Sequence, residues 1–336
     1  MAKSTWQTSP NIAVVKYWGK RDNALNIPMN GSVSVTMDDS LRTITTVQFD
    51  SDLAADSLTL NGKPAQEKEA ARATKVLDAI RAAAKIKTKA KVASTNNFPT
   101  AAGIASSASG FAALACAGAD AAGLNADAKQ LSIFARLGSG SACRSVLGGF
   151  VEWKPGKKRD GGDSFAVQIA PSSHWRELRN VIAIVETGRK KVGSAEGMEI
   201  TTKTSKLYPE RVRTRPAMIE SMRKAILARD LEKFLLLTME ESSDLHAVML
   251  DTFPPIMYLN DISREIMYAV HELNGSHGKI VAGYTFDAGP NAHIYTDAAH
   301  AEEVERMLRG INGVQKTIVC KPGDGPRKLG EKEALF

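Results

Sequence analysis

The sequence predicts an α+β protein of two domains, on three observations. Its 336 residues are many for one hydrophobic core and suit two of ordinary size. Stretches alternating with period two, such as residues 31–37 and 42–49, stand beside longer stretches of helical periodicity, such as residues 65–85. Near Arg179 the texture changes: helical patterns dominate residues 205–249, and strand, helix and strand patterns follow with antiparallel returns. Residues 1–178 and 179–336 are the two domains expected. Hydrophobic residues at 43% and charged ones at 24% are those of a soluble globular chain. No stretch approaches the length of an apolar membrane span, and residues 1–10 lack the apolar core of a signal peptide. Cys116, Cys143 and Cys320 lie far apart, in no metal or redox spacing, which fits a reducing, cytoplasmic compartment.

In chain order, the apolar residues 11–15 predict a buried strand that ends in Lys16-Tyr17-Trp18-Gly19-Lys20, by itself readable as a solvated edge. Residues 31–37 and 42–49 each predict a strand with one buried face. Asn61-Gly62 marks a hairpin turn, and residues 65–85 place Val76, Leu77 and Ile80 on one face of a helix. A strand near residues 91–94 leads into a loop and a further helix. Asp127 caps another helix running to about Leu137, and residues 146–153 and 164–169 are strands. Beyond Arg179 come a strand (180–186), helices divided near Arg229-Asp230, and a helix over 261–273. Strands at 279–286 and 293–295, a helix at 298–309 and a strand at 315–320 complete the chain.

Two loops carry chemistry. In residues 96–111 the centre has no large or charged side chain, Pro99 and Gly103 punctuate it, and Ser106, Ser107 and Ser109 open an apolar helical run. Free N–H groups, hydroxyls and the positive end of the helix dipole make such a start an anion site, with phosphate the natural anion. A tight loop with serine caps on a buried helix fits the same residues. It is neither Gly-x-x-x-x-Gly-Lys-Ser/Thr nor Gly-x-Gly-x-x-Gly. The second loop is Gly138-Ser139-Gly140-Ser141-Ala142-Cys143-Arg144-Ser145, where Arg144 can fork onto a carboxylate or phosphate or serve as a surface ion pair. The net charge of +7 admits nucleic acid, an anionic membrane surface or anionic small substrates. Apart from Lys157-Lys158-Arg159 and Arg189-Lys190-Lys191 the basic residues are scattered. Only 6% of residues are aromatic and no nucleic-acid motif accompanies the charge, so base-stacking platforms are not expected.

Pro99-Thr-Ala-Ala-Gly103-Ile104-Ala-Ser106-Ser107-Ala108 resembles the nucleotide loop of the GHMP kinase superfamily. Together with Ala13-Val-Val-Lys16-Tyr17-Trp18-Gly19-Lys20, residues 138–145 and Phe286-Asp287-Ala-Gly-Pro-Asn-Ala292, it closely resembles the diphosphomevalonate decarboxylases, in that family's order and over essentially the whole chain. The resemblance implies the two-domain GHMP-kinase fold, an N-terminal α/β domain and a ferredoxin-like C-terminal domain with the active site in the cleft between them. It further implies ATP and Mg²⁺, with phosphorylation of the tertiary 3-hydroxyl of mevalonate 5-diphosphate and loss of phosphate and CO2 to give isopentenyl diphosphate. A cytoplasmic homodimer, without nucleic-acid or membrane partners, is implied as well.

The same resemblance assigns residues. Asp287, on its own readable as a turn cap, matches the catalytic aspartate that accepts the hydroxyl proton, and Lys16 matches the lysine that keeps it ionised. Pro99, Ala102, Gly103, Ser106, Ser107 and Ser109 match the nucleotide loop, with Ser107 (or Ser106) and Asp287 on the Mg²⁺ side. Ser139, Ser141 and Arg144 match substrate-binding positions, Arg144 also at the catalytic centre, and Tyr17, Lys20 and Arg72 match diphosphate contacts. One departure stands out in Lys191-Val192-Gly193-Ser194-Ala195: the family has two serines after the valine, and here Gly193 replaces the first while Ser194 remains. A 3-kinase that stops after phosphorylation, or a decarboxylase of the monophosphate, is the sibling alternative; relatives that stop at phosphorylation lack the aspartate–lysine pair. A basic nucleic-acid-binding protein, the alternative outside enzymes, would need its charge gathered on one face.

Overall fold

The structure is a computed structural model that describes residues 3–98, 106–185 and 191–336. The chain opens with β1 (Lys3–Thr8), β2 (Asn11–Val15), the small hairpin β3 (Lys20–Asp22) and β4 (Ile27–Pro28), then β5 (Ser32–Thr36) and β6 (Thr43–Asp50). Asn61-Gly62 joins β7 (Ser57–Leu60) to β8 (Lys63–Pro64) with φ of 49° and 77°, the doubly positive pair that a primed hairpin turn needs. Helix α1 (Glu67–Ala84) and β9 (Lys89–Asn96) follow, then α2 (Ser106–Ala121) and α3 (Ala128–Gly138), the last capped by Asp127. A 3-10 turn, Gly140–Arg144, leads to β10 (Phe150–Trp153) and β11 (Ala166–Ala170).

Two sheets result. One, which β16 (Arg327–Lys328) joins, has the order β16-β1-β6-β9-β7-β8 and is covered by α1, α2 and α3 through Val47, Phe49, Val76, Leu77 and Val92. The other, β11-β10-β5-β2, packs Ile12, Val33, Val35 and Phe150 toward the helices of the second half.

That half begins with β12 (Leu178–Ile184). It continues through α4 (Ser194–Thr204), α5 (Tyr208–Ala228), α6 (Leu231–Leu250) and α7 (Asp261–His277). It ends with β13 (Ala282–Phe286), β14 (Ala292–Asp297), α8 (Ala301–Gly310), β15 (Lys316–Cys320) and β16 (Arg327–Lys328). Its sheet, β13-β14-β12-β15, is antiparallel throughout. Numbered within the half, that order is 2-3-1-4, with helices in both crossovers, which is the ferredoxin-like arrangement. Met218, Met222, Phe234 and Leu235 from α5 and α6 join the core of the second N-terminal sheet, so the two halves share one apolar seam. Among the described residues no helix is long and apolar enough to cross a membrane.

Several expectations change. Strand β5 has no solvated face: Ser32, Ser34 and Thr36 are as buried as Val33 and Val35. The strand expected over 146–153 starts only at Phe150, because Gly148 and Gly149 turn there. Gly149 sits at φ 71°, and a side chain on it would meet the Ala170 carbonyl oxygen at 2.3 Å. Helix α7 runs past Leu273 to His277, between an Asn260 cap and Gly278 in the left-handed region. Strands β1, β3, β4 and β16 and helix α4 are additions to the sequence reading.

Candidate active site

Strand β2 stops at Val15, and the next residues leave the sheet with side chains satisfying their backbone. Asn30 Nδ2 donates to the Lys16 carbonyl (3.0 Å), and the Tyr208 hydroxyl donates to the Trp18 carbonyl (2.6 Å). Gly19 then turns at φ 88°, where a Cβ would lie 1.9 Å from the Tyr208 hydroxyl oxygen. Only glycine permits both the turn and that approach. The exit aims Lys16 across to the turn after β13, where Lys16 Nζ meets Asp287 Oδ1 at 2.5 Å. The lysine is 3% exposed, whereas the aspartate side chain is 31% exposed. Burial pulls the Lys16 pKa below its ordinary value; the Asp287 carboxylate opposes this, and Arg144 and Arg211 add to it.

Arg144 ends the 3-10 turn and is buried, not on the surface. Its Nε donates to Asn11 Oδ1 and Ser34 Oγ, both at 3.0 Å, and its Nη1 to Ser32 Oγ at 2.6 Å. The polar face of β5 therefore serves as the cradle of this guanidinium. Nη2 makes no hydrogen bond to the described residues. Desolvation depresses the Arg144 pKa, so an anion placed beside Nη2 would offset a real electrostatic cost. Tyr17 packs its ring edge-on to Trp153 (4.8 Å between centroids), and burial pushes its hydroxyl up to about 12.

A line of hydroxyls closes the third side. Ser107 Oγ lies 3.4 Å from Ser139 Oγ, which lies 3.5 Å from Ser141 Oγ, joining the start of α2 to the 3-10 turn. These serines, with Ser106, Ser194, Lys16, Tyr17, Arg144 and Asp287, surround a cavity of about 240 Å³. Trp18, Met198, Leu245 and Ala288 supply its apolar wall. The sequence-stretches 16–20, 138–145 and 286–292 thus meet at one point. A second cavity of about 490 Å³ shares Ser106 and Ser107 with the first and is lined by Leu58, Leu60, Phe111 and Leu114.

Other expected residues lie elsewhere. Ser109 lines neither cavity: it is 0% exposed, its hydroxyl donates to the Ser106 carbonyl (3.2 Å) and it accepts from Thr43 Oγ1 (2.6 Å). Arg72 stands on the wall of the second cavity, with Nε donating to the Gly138 carbonyl (2.7 Å) and its guanidinium over the Phe111 ring at 4.5 Å. Lys20 lines neither cavity; its Nζ donates to Asn26 Oδ1 (2.7 Å), and burial, then Arg72 and Lys75, lower its pKa. Pro99, Ala102 and Gly103 lie outside the described residues. Asn11, Ser32 and Ser34, which orient Arg144, are residues the sequence reading missed. The alternating polar positions of β5 were the only signal for the two serines; Asn11, at the start of β2, gave none.

The donor set suits Mg²⁺ in part. Ser107 and Asp287 offer oxygen ligands to the same cavity, while the described residues hold no group of three or more His, Cys, Asp or Glu able to cage a metal. Two protein oxygens with space beside them fit an ion that keeps waters and takes substrate phosphates as its remaining ligands.

Comparison with known proteins gives concordant matches to both halves. Residues 8–166 match the diphosphomevalonate decarboxylase-like N-terminal domain, and residues 180–315 match the mevalonate 5-diphosphate decarboxylase C-terminal domain. The diphosphomevalonate decarboxylase of Candida albicans is 44% identical over 354 residues, covering 96% of this chain and 97% of that protein. The crystal structure of mevalonate diphosphate decarboxylase from Staphylococcus aureus superposes with a TM-score of 0.91 at 34% identity, covering 98% of each chain. A structure of MDDEF in complex with MVAPP, AMPPCP and magnesium gives 0.89 at 35% identity, covering 97% of this chain and 98% of that one.

Proposed function

The chain belongs to the diphosphomevalonate decarboxylase family, and from that membership we propose how its cavity works. It is an enzyme that decarboxylates mevalonate 5-diphosphate at the expense of ATP, yielding isopentenyl diphosphate, ADP, phosphate and CO2. The observation that supports the site assignment most is the 2.5 Å Lys16–Asp287 pair, set in one cavity with Arg144 and the serines of α2.

The ATP phosphates lie on Ser106 and Ser107 at the start of α2, and its base and ribose occupy the second cavity. Ser107 and Asp287, with the ATP phosphates, would hold Mg²⁺, which would supply charge neutralisation during transfer. The more exposed Asp287 carboxylate takes the proton of the 3-hydroxyl as that oxygen attacks the γ-phosphorus. The Lys16 ammonium holds Asp287 in the ionised form needed for this and balances charge on the moving phosphoryl group. Arg144 uses its remaining Nη2 to hold the substrate carboxylate or diphosphate. Tyr17, Ser139, Ser141 and Ser194 hold the rest of the diphosphate, with Lys20 and Arg72 behind them. When the carboxylate leaves as CO2, its bonding electrons form the new C=C bond and the 3-phosphate departs. Trp18, Met198 and Leu245 keep that step dry.

Division into residues 1–178 and 179–336, a homodimeric assembly and a cytoplasmic location belong to the same proposal. The test is to incubate the protein with ATP, Mg²⁺ and mevalonate, its 5-phosphate or its 5-diphosphate. The expected result is ADP and CO2 in equal amounts with the diphosphate and little of either with mevalonate. ADP without CO2 would instead make the chain a 3-kinase.

A further inference from the structure

Lys16 sits one residue beyond β2, and a buried ion cluster from α5 and α6 holds the peptide groups on both sides of its Cα. The Lys16 N–H donates to Glu241 Oε1 (2.9 Å), and its carbonyl accepts from Arg211 Nη2 (3.2 Å). Arg211 pairs with Glu241 and Asp244, and Arg215 pairs with the same two carboxylates. The Arg211 and Glu241 side chains are 0% exposed, and Asp244 is 35% exposed. As helix packing alone, such a cluster is a poor choice. Buried ion pairs rarely outperform apolar residues of similar volume, because desolvation consumes the Coulombic gain. What apolar residues cannot supply is a carboxylate and a guanidinium aimed at one residue's N–H and C=O.

We propose that Glu241 and Arg211 are positioning residues for the reaction: they clamp the Lys16 main chain from the C-terminal half and so fix where its ammonium meets Asp287. The inference rests on the reading of the Lys16–Asp287 pair given above. It makes the active-site lysine a part of both halves, its chain in one and its backbone restraints in the other. The cluster also sets local charge. Facing Lys16 are Asp287 from the β13–β14 turn, Arg144 from the 3-10 turn, Arg211 from α5, Glu241 and His246 from α6 and His293 from β14. Burial holds both histidines down to about 4, so they are neutral at working pH. Glu241 and Asp244 are thus the anions that balance Arg211 and Arg215 next to the lysine.

The experiment compares Glu241→Gln, Arg211→Lys and Asp244→Asn in the full chain, after Asp287→Asn has been assayed. Normal turnover in Asp287→Asn would sink the reading of the pair itself, separately from the clamp. Readouts are kcat, KM for the diphosphate and for ATP, and the melting temperature. Glu241→Gln should lower kcat by about 10- to 100-fold through misplacement of Lys16, with KM for the diphosphate little changed. Arg211→Lys keeps the charge but cannot reach all three acceptors, so kcat should fall likewise, with KM for the diphosphate little changed. Asp244→Asn touches no atom of Lys16 and should lower only the melting temperature. Should Glu241→Gln fail to fold, Arg211→Lys decides. Folded clamp variants with wild-type kcat, or an Asp244→Asn loss of kcat equal to theirs, would overturn the proposal.

Discussion

At Asp287 and Lys16 the two halves of one ion pair live in different solvents. The carboxylate opens onto the cavity and the ammonium is enclosed. Asp287→Asn keeps the size and can still hydrogen-bond, but it neither accepts a proton nor carries charge. Turnover should drop by about 10²–10⁴, while nucleotide and diphosphate still bind. The enclosure of Lys16 adds a stability effect. In the variant, desolvation and the nearby arginines act on the lysine with nothing opposing them, so the folded state disfavours the ammonium still more. A group whose folded pKa is depressed in this way destabilises the fold below that pKa and ceases to do so once it is neutral in both states. The melting temperature of Asp287→Asn should therefore fall further below wild type at pH 6 than at pH 10. Calorimetry at the two pH values checks this. Equal losses would mean that Asp287 does not raise the Lys16 pKa in the folded protein.

Helix α4 shows what a single cap position can do for the site. Gly193 is its N-cap at φ −70° and ψ 148°, and a Cβ there would meet nothing within 4 Å. Gly193→Ser would restore the serine pair at this loop and place a serine three residues before Glu196, the spacing of a capping box. The variant should gain about a few tenths of a kcal/mol and show a lower KM for the diphosphate with KM for ATP unchanged. A higher melting temperature without the KM change would confine residue 193 to capping. The same helix marks a limit of local reading. Gly197, Thr201, Thr202 and Thr204 are weak helix formers, and packing of Met198 beside Trp18 and Leu245 supplies what propensity does not. Where a signal is local, the sequence reveals it: the Asn61-Gly62 turn, the Asp127 cap and the break at Arg229-Asp230 all appear as expected. The polar positions of β5 read as a solvated face because alternation says which residues share a side, not what covers it; Arg144, 110 residues on from Ser34, covers it. Lys16 and Asp287 are 271 residues apart, and only the family's pattern joined them before the fold did.

Across the whole molecule, His246 and His293 couple folding to acid. Both are buried, and desolvation lowers each to about 4 from an ordinary 6.5. Their neutral forms are built into the fold, so their stability contribution is complete above pH 6.5 and is lost as pH falls toward 4. Denaturant titrations should lose about 3 kcal/mol per histidine across that interval. His293→Asn, which has no proton to gain, should flatten the slope; an unchanged slope would assign it to other groups. At the same scale, β16 lies 319 or more residues beyond β1 in the chain yet pairs Lys328 with Trp6 and Arg327 with Gln7, and the Leu329 N–H donates to the Thr5 carbonyl. During synthesis, therefore, β1 can pair with β6 early but must wait with its other edge open until β16 has been translated. An open strand edge is a template for unwanted pairing. Arg327 and Lys328, far along the chain, are the residues that close it.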